Sequence, residues 1–140
     1  MSKIAVVYWS GTGNTEKMAE LVAAGIKDGG GDVTSFQAAE FSAELMDHYD
    51  AVAFGCPSMG AEELEEAEFA PLFEQCEKKL KGKKIALFGS YGWGDGEWMR
   101  CWEDRCIEDE AVIACPCVIC NEAPDETAQQ ECKALGKSLL

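Results

Sequence analysis

Ile4-Ala5-Val6-Val7-Tyr8-Trp9-Ser10-Gly11-Thr12-Gly13-Asn14-Thr15-Glu16 is the stretch on which the fold turns. Its first six residues are apolar and partly β-branched, with no polar alternation, so they read as a strand buried on both faces. The residues that follow are small and polar. They lead into residues 15–27, where Met18, Leu21, Val22 and Ile26 recur at helical spacing. A buried strand passing through a short polar loop into an amphipathic helix is the opening of a parallel βαβ unit.

The same alternation continues down the chain. Gly29-Gly30-Gly31 stops the first helix, and residues 32–37 form a more polar strand suited to a sheet edge. Residues 42–48 hold a short helix and residues 51–56 a third strand. Residues 69–80 read as a helix with Phe69, Leu72, Phe73, Cys76 and Leu80 on one side. Residues 84–90 are a fourth strand, 97–109 a helix, 111–119 a fifth strand, and 124–140 a closing helix with Pro124 and Asp125 as start signals. The pattern predicts one domain over residues 1–140, of α/β class: an open, doubly wound, five-stranded parallel sheet with helices on both faces. Five strands are too few for an eight-stranded barrel.

Twenty-six acidic and 12 basic side chains leave a net charge of −14, which argues against nucleic acid or an anionic membrane as partner. A partner with a basic surface fits better. The longest apolar runs fall far short of the ~20 residues of a spanning helix. Residues 4–9 are too short and β-branched for a secretory segment, so a cytoplasmic location is expected. Eight cysteines are present, three of them as Cys115-Pro116-Cys117-Val118-Ile119-Cys120. A redox Cys-x-x-Cys usually opens a helix, whereas this one lies on a strand-like run with Val and Ile inside it. No second pair at zinc-like spacing accompanies it. The expectation is reduced cysteines buried as small hydrophobes.

In doubly wound sheets ligands sit beyond the carboxyl ends of the strands. After strand one, Ser10, Gly11, Thr12, Gly13, Asn14 and Thr15 combine flexible backbone, hydroxyl and amide groups and a helix N-terminus. That is an anion nest with no Lys or Arg in it. It lacks the Lys of a Walker loop, and Glu16 stands where a dinucleotide fingerprint has its third glycine. After strand three comes Pro57-Ser58-Met59-Gly60-Ala61-Glu62, where Gly60 allows its preceding peptide two orientations. After strand four, Ser90-Tyr91-Gly92-Trp93-Gly94-Asp95-Gly96 offers close backbone approach and an aromatic stacking face. Trp9 and Trp98 are also consistent with core positions.

These three loops resemble those of short-chain, clostridial-type flavodoxins. The motifs are residues 8–16, Gly55-Cys56-Pro57-Ser58-Met59-Gly60 and Phe88-Gly89-Ser90-Tyr91-Gly92-Trp93-Gly94-Asp95-Gly96, ending with Asn121-Glu122-Ala123-Pro124. The resemblance implies strand order 2-1-3-4-5 and one non-covalent flavin mononucleotide (FMN) at the switch point. It implies that Ser10, Gly11, Thr12, Gly13, Asn14 and Thr15 hold the phosphate with Ser90 nearby. Met59 and Trp93 would flank the ring, Gly60 would present its carbonyl to the flavin N5, and Glu62 would contact the pyrimidine edge. Ser58, Ala61, Tyr91, Gly92, Gly94, Asp95 and Asn121 complete the implied site. The implied function is a low-potential one-electron carrier, shuttling mainly between semiquinone and hydroquinone, with no catalytic residues and no metal. Its implied partners are redox proteins with basic docking surfaces, such as ferredoxin or flavodoxin reductases and other oxidoreductases, met by a monomer. Pro57 and Ala61 depart from the polar or acidic residues common in the family, and the chain is too short for the insertion that splits strand five in long-chain members.

A small FMN-dependent quinone or nitro reductase is the alternative, but it would need a substrate pocket or lid that 140 residues hardly accommodate. A phosphorelay receiver would need acids after strand one and an Asp ending strand three, where Ser10, Gly11 and Cys56 stand. The acidic residues from 62 to 68 lie at the loop end, while Lys78, Lys79, Lys81, Lys83 and Lys84 precede strand four at the opposite end.

Overall fold

Alternate residues of the central strands point to opposite faces, and both sets are apolar. Ala5, Val7, Val52, Phe54, Ile85 and Leu87 enter one core; Ile4, Val6, Ala51, Ala53, Ala86 and Phe88 enter the other. A sheet apolar on both sides must be covered on both sides. In the computed structural model, which describes residues 2–140, it is. Strands β1 (Lys3–Tyr8), β2 (Asp32–Gln37), β3 (Ala51–Gly55) and β4 (Lys84–Tyr91) pair in parallel in the order β2-β1-β3-β4. β5 (Val112–Ile113) and β6 (Val118–Asn121) both pair with β4 in parallel, giving the expected order 2-1-3-4-5 when they are taken as one interrupted strand.

Helices α1 (Asn14–Asp28) and α4 (Glu126–Ser138) cover one face, with Met18, Val22, Ile26, Cys132 and Leu135 packed on the sheet. Helices α2 (Phe69–Cys76) and α3 (Glu97–Glu108) cover the other with Phe69, Phe73, Trp98 and Trp102. Phe73 and Trp102 meet edge to face, with ring centroids 5.5 Å apart. α1 and α4 cross at two glycines: a methyl at Gly25 would strike the Lys133 carbonyl, and one at Gly136 the Val22 carbonyl. Asp125 starts α4 as expected, its carboxylate accepting from Ala128 N–H at 2.8 Å.

Three elements differ from the pattern in the sequence. The fifth strand does not run unbroken over 111–119. Its chain leaves the sheet at residues 115–117, after Ala114 N–H has met the Ile85 carbonyl, where Pro116 has no N–H to give to a ladder, and rejoins at Val118. The helix expected over 69–80 ends at Cys76 and tightens into a 3₁₀ turn, Glu77–Lys79; the segment Ala43–His48 is likewise 3₁₀. Of the cysteines, Cys56, Cys76, Cys106, Cys120 and Cys132 are buried, whereas Cys115 and Cys117 are half-buried and Cys101 is exposed on α3. None of the described helices is long and apolar enough to cross a membrane.

The α2 and α3 ends are joined by charge. Arg105 holds Glu77 with both guanidinium arms, its Nε 2.7 Å from Oε2. The neighbouring Glu77 carboxylate, together with burial, raises the Asp109 carboxyl to about 6. The folded chain therefore keeps a proton at Asp109 that the unfolded chain has already lost, and stability from this group falls as pH rises from about 4 to about 6. Replacing Asp109 with Asn is expected to flatten that decline and raise the urea midpoint at pH 7, read by denaturation at several pH values. Gly136→Ala is expected to lose about 2–3 kcal/mol at the α1–α4 crossing, since neither backbone can yield without repacking; urea unfolding measures it.

Candidate functional site

The loops after β1, β3 and β4 and the turn after β6 converge at one end of the sheet around a cleft of about 460 Å³. That is within the usual range of cofactor sites, about 300–1,000 Å³. Trp9, Ser10, Gly11, Thr12, Asn14 and Thr15 line it from the β1 side, and Pro57, Ser58 and Met59 from β3. Ser90, Tyr91 and Gly92 line it from β4, and Glu122 and Ala123 close it beyond β6.

The loop after β1 wraps around one hydroxyl. Ser10 Oγ accepts from Gly13 N–H at 3.1 Å and from Glu16 N–H at 3.2 Å. Gly13 sits at φ 101°, a conformation that favours glycine, and so turns the chain into α1. Among the described residues, no protein acceptor takes the N–H groups of Gly11, Thr12, Asn14 or Thr15. These donors sit at the positive end of α1, and no Lys or Arg lines the cleft. Deeper in, the Thr15 and Ser90 hydroxyls are buried and 2.9 Å apart, and Ser90 N–H reaches Thr15 Oγ1 at 3.4 Å. This donor set suits a phosphate ester held by dipoles alone.

At the other end, Met59 and Glu63 exchange backbone hydrogen bonds of 2.8 and 2.9 Å, closing Gly60-Ala61-Glu62 into a tight loop. Gly60 has φ 54°. This corrects one expectation. The Met59–Gly60 peptide is not the free one, because the Met59 carbonyl accepts from Glu63; the Gly60 carbonyl has no protein donor among the described residues.

Several expected residues lie outside the cleft lining: Gly13, Gly60, Ala61, Glu62, Trp93, Gly94, Asp95 and Asn121. Trp93 stands 63% exposed beside the mouth. Glu62, with φ 56°, turns toward α3 and accepts from Glu97 N–H at 3.2 Å. The carboxylates of Glu62, Asp95 and Glu97 cluster within 4.8 Å of one another, and Asp95 is paired to Arg100 at 3.0 Å. Asn121 ends β6 opposite Tyr91 and is exposed.

Four lining residues were not among those expected: Trp9, Pro57, Glu122 and Ala123. Trp9 is a half-buried wall rather than core, with its indole N–H given to Glu68 Oε1 at 3.1 Å. The fit beside it is close: a Cβ on Gly11 would lie 3.1 Å from the ring, and the indole would have to give way by a few tenths of an ångström. Glu122 and Ala123 follow the true end of strand five, and the strand-end rule points to them once that strand is extended to Asn121.

A family model described as Flavodoxin matches residues 6–136. The flavodoxin of Clostridium beijerinckii is 48% identical over 139 residues, covering 96% of each chain. That of Megasphaera elsdenii is 46% identical over 135 residues, again 96% of each. The solution structure of the two-electron reduced Megasphaera elsdenii flavodoxin superposes with a TM-score of 0.90 at 45% identity, covering 97% of both chains. The chain belongs to the flavodoxin family. Flavodoxins are FMN-binding electron-transfer proteins and not enzymes. The residues present fit that group: unengaged N–H donors suit its phosphate, and the aromatic and thioether groups of Trp9, Met59 and Tyr91 suit its ring. Bound FMN supplies the one-electron chemistry.

Thr15→Val removes the buried hydroxyl at the phosphate end. FMN affinity is expected to fall about tenfold or more, as for a lost hydrogen bond to a charged group. Riboflavin, which lacks the phosphate, should bind the variant and the parent alike. Flavin fluorescence titrations compare the two.

Proposed function

We propose that this chain is a low-potential carrier whose second electron is the working one, delivered to redox proteins through the acidic end of the molecule. The observation that carries the proposal is the charge inventory of the cleft. Dipoles hold the phosphate with no cation lining the site, while Glu62, Asp95 and Glu97 cluster in the stretches that follow the lining residues Met59 and Gly92. A negative charge added to the ring is opposed by the net negative charge of this cluster, three carboxylates against the one guanidinium of Arg100. Each ~1.4 kcal/mol of such opposition is a tenfold shift in equilibrium, or about 59 mV for one electron.

Ser10, Thr12, Asn14 and Thr15 hold the phosphate in this proposal, and Ser90 keeps Thr15 in place. Met59 and Trp93 flank the ring. The Gly60–Ala61 peptide carries the mobile acceptor: its oxygen is free of protein donors, and a proton on ring nitrogen would find it when the peptide turns inward. Gly60 makes that turn inexpensive because φ 54° is open to it.

Charge is also distributed along the molecule. Lys79 pairs with Asp47 and Lys81 with Glu110 near the amino end of β4, while the acidic residues from 62 to 68 surround the loop end. A molecule negative at its cofactor end steers basic surfaces toward it. A single-domain, monomeric protein of the cytoplasm, meeting several basic partners in turn, completes the proposal.

Stepwise reduction of the FMN-loaded protein tests it. Two separate one-electron midpoints are expected, the second much the lower, with no oxidation of NAD(P)H by the protein alone. Electron transfer to a basic acceptor such as cytochrome c should slow as salt rises. A single two-electron midpoint, or rates indifferent to ionic strength, would contradict it.

A further inference from the structure

Three polar residues are buried among the described residues: Thr15, Ser90 and Glu65. The first two belong to the phosphate end of the cleft. Glu65 does not touch the cleft, and it is the one buried carboxylate. A carboxylate is costly to bury unless its charge is met by donors.

Its donors come from a single turn. Glu65 Oε1 accepts from Glu68 N–H and Phe69 N–H, each at 2.8 Å, and Oε2 from Ala67 N–H at 2.8 Å. The Glu65 carbonyl takes Ala70 N–H at 2.8 Å. The residue thus satisfies donors that the start of α2 leaves without partners. Its own N–H goes to Cys56 Sγ at 3.4 Å, at the end of β3. Burial works against the charge, yet the N–H groups of Phe69, Glu68 and Ala67 hold the carboxyl below its usual range. Cys56 in turn is buried, with its thiol pushed up to about 12, so the contact is to a neutral sulfur.

Two walls of the cofactor cleft hang from this knot. In front of it, two residues before Glu65, the Met59–Glu63 bridge closes the loop that carries Gly60. Behind it, Glu68, whose N–H is held by Glu65, receives the indole N–H of Trp9 on the cleft's other side.

We infer that Glu65 is the positioning residue of the flavin site: its buried carboxylate fixes the base of the Met59–Glu63 loop and, through Glu68, the Trp9 wall. With the base fixed, motion is confined to Gly60, Ala61 and Glu62. With the base released, the loop no longer discriminates between oxidised and reduced ring, and the bound flavin sits between walls that move. The inference rests on the FMN-carrier reading above, whose own test is FMN uptake and stepwise reduction of the parent protein.

Glu65→Gln is the decisive variant, because an amide NH₂ placed among N–H donors cannot accept as a carboxylate oxygen does. In the apoprotein, amide exchange of Met59 and Glu63 is expected to quicken tenfold or more, with exchange in β1 and β4 unchanged. In the FMN-loaded protein, affinity is expected to fall at least tenfold and the two one-electron midpoints to draw together. Leu135→Ala, in the opposite core, serves as the control: it should lower the unfolding midpoint while leaving the midpoint potentials and those two amides as in the parent. Should Glu65→Gln fail to fold, Glu68→Ala, at an exposed position, tests the Trp9 arm, with a severalfold loss of FMN affinity expected. Parent-like amide exchange, affinity and potentials in Glu65→Gln overturn the inference, as does parent-like affinity in Glu68→Ala. Failure of the parent protein itself to bind FMN would overturn the underlying reading instead.

Discussion

Backbone N–H groups that no protein acceptor satisfies are the constraint on which this molecule depends. A helix start always leaves such donors. Here Ser10 Oγ takes two of them, and those of Gly11, Thr12, Asn14 and Thr15, all residues of the cleft lining, are left without a protein acceptor among the described residues. The sheet keeps them there: β1 and β3 run in parallel, so their loops emerge at the same end and part around the site. The burial of Thr15 and Ser90 against each other ties the start of α1 to the end of β4. This end of the cleft is made of strand ends and a helix terminus.

The Met59–Glu63 side of the cleft is built differently. It is a loop with one glycine at positive φ, a non-glycine residue, Glu62, also at positive φ, and a two-bond bridge at Met59 and Glu63. Such a segment has few packed contacts at its tip and a fixed base, which suits a part that must respond to the charge state of a ligand. The cluster beside it, Glu62, Asp95 and Glu97 with Arg100, carries a net negative charge. A cation near the ring would favour added negative charge and raise the second potential; carboxylates do the reverse.

Much of the fold was legible because it depends on short-range pattern. The unbroken apolar run Ile4-Ala5-Val6-Val7 marks a strand covered on both faces, and the Met18, Val22, Ile26 spacing marks α1. The failures were at places where one residue overrides a run. Pro116 interrupts what otherwise reads as a continuous fifth strand, and this shifted the expected strand end from Asn121 to 119, hiding Glu122 and Ala123 from view. Trp9 lies at the end of an apolar run and looks like core, yet its indole N–H needs an acceptor, and Glu68, far along the chain, supplies it. Glu65 is one of several acids in an acidic stretch, and nothing local marks it as the buried one.

By itself the sequence determined the class of sheet, the polar loop that opens α1 and the family to which three ordered motifs point, because these follow from local periodicity, glycine placement and residue type. Tertiary structure alone decided which of the acidic residues near 62–68 is buried, which peptide of the Met59–Glu63 loop is free, and which residues from four separate loops share one cleft. Those outcomes hang on hydrogen bonds between segments distant in the chain, such as Thr15 with Ser90 and Trp9 with Glu68, and such pairings leave no periodic trace along it.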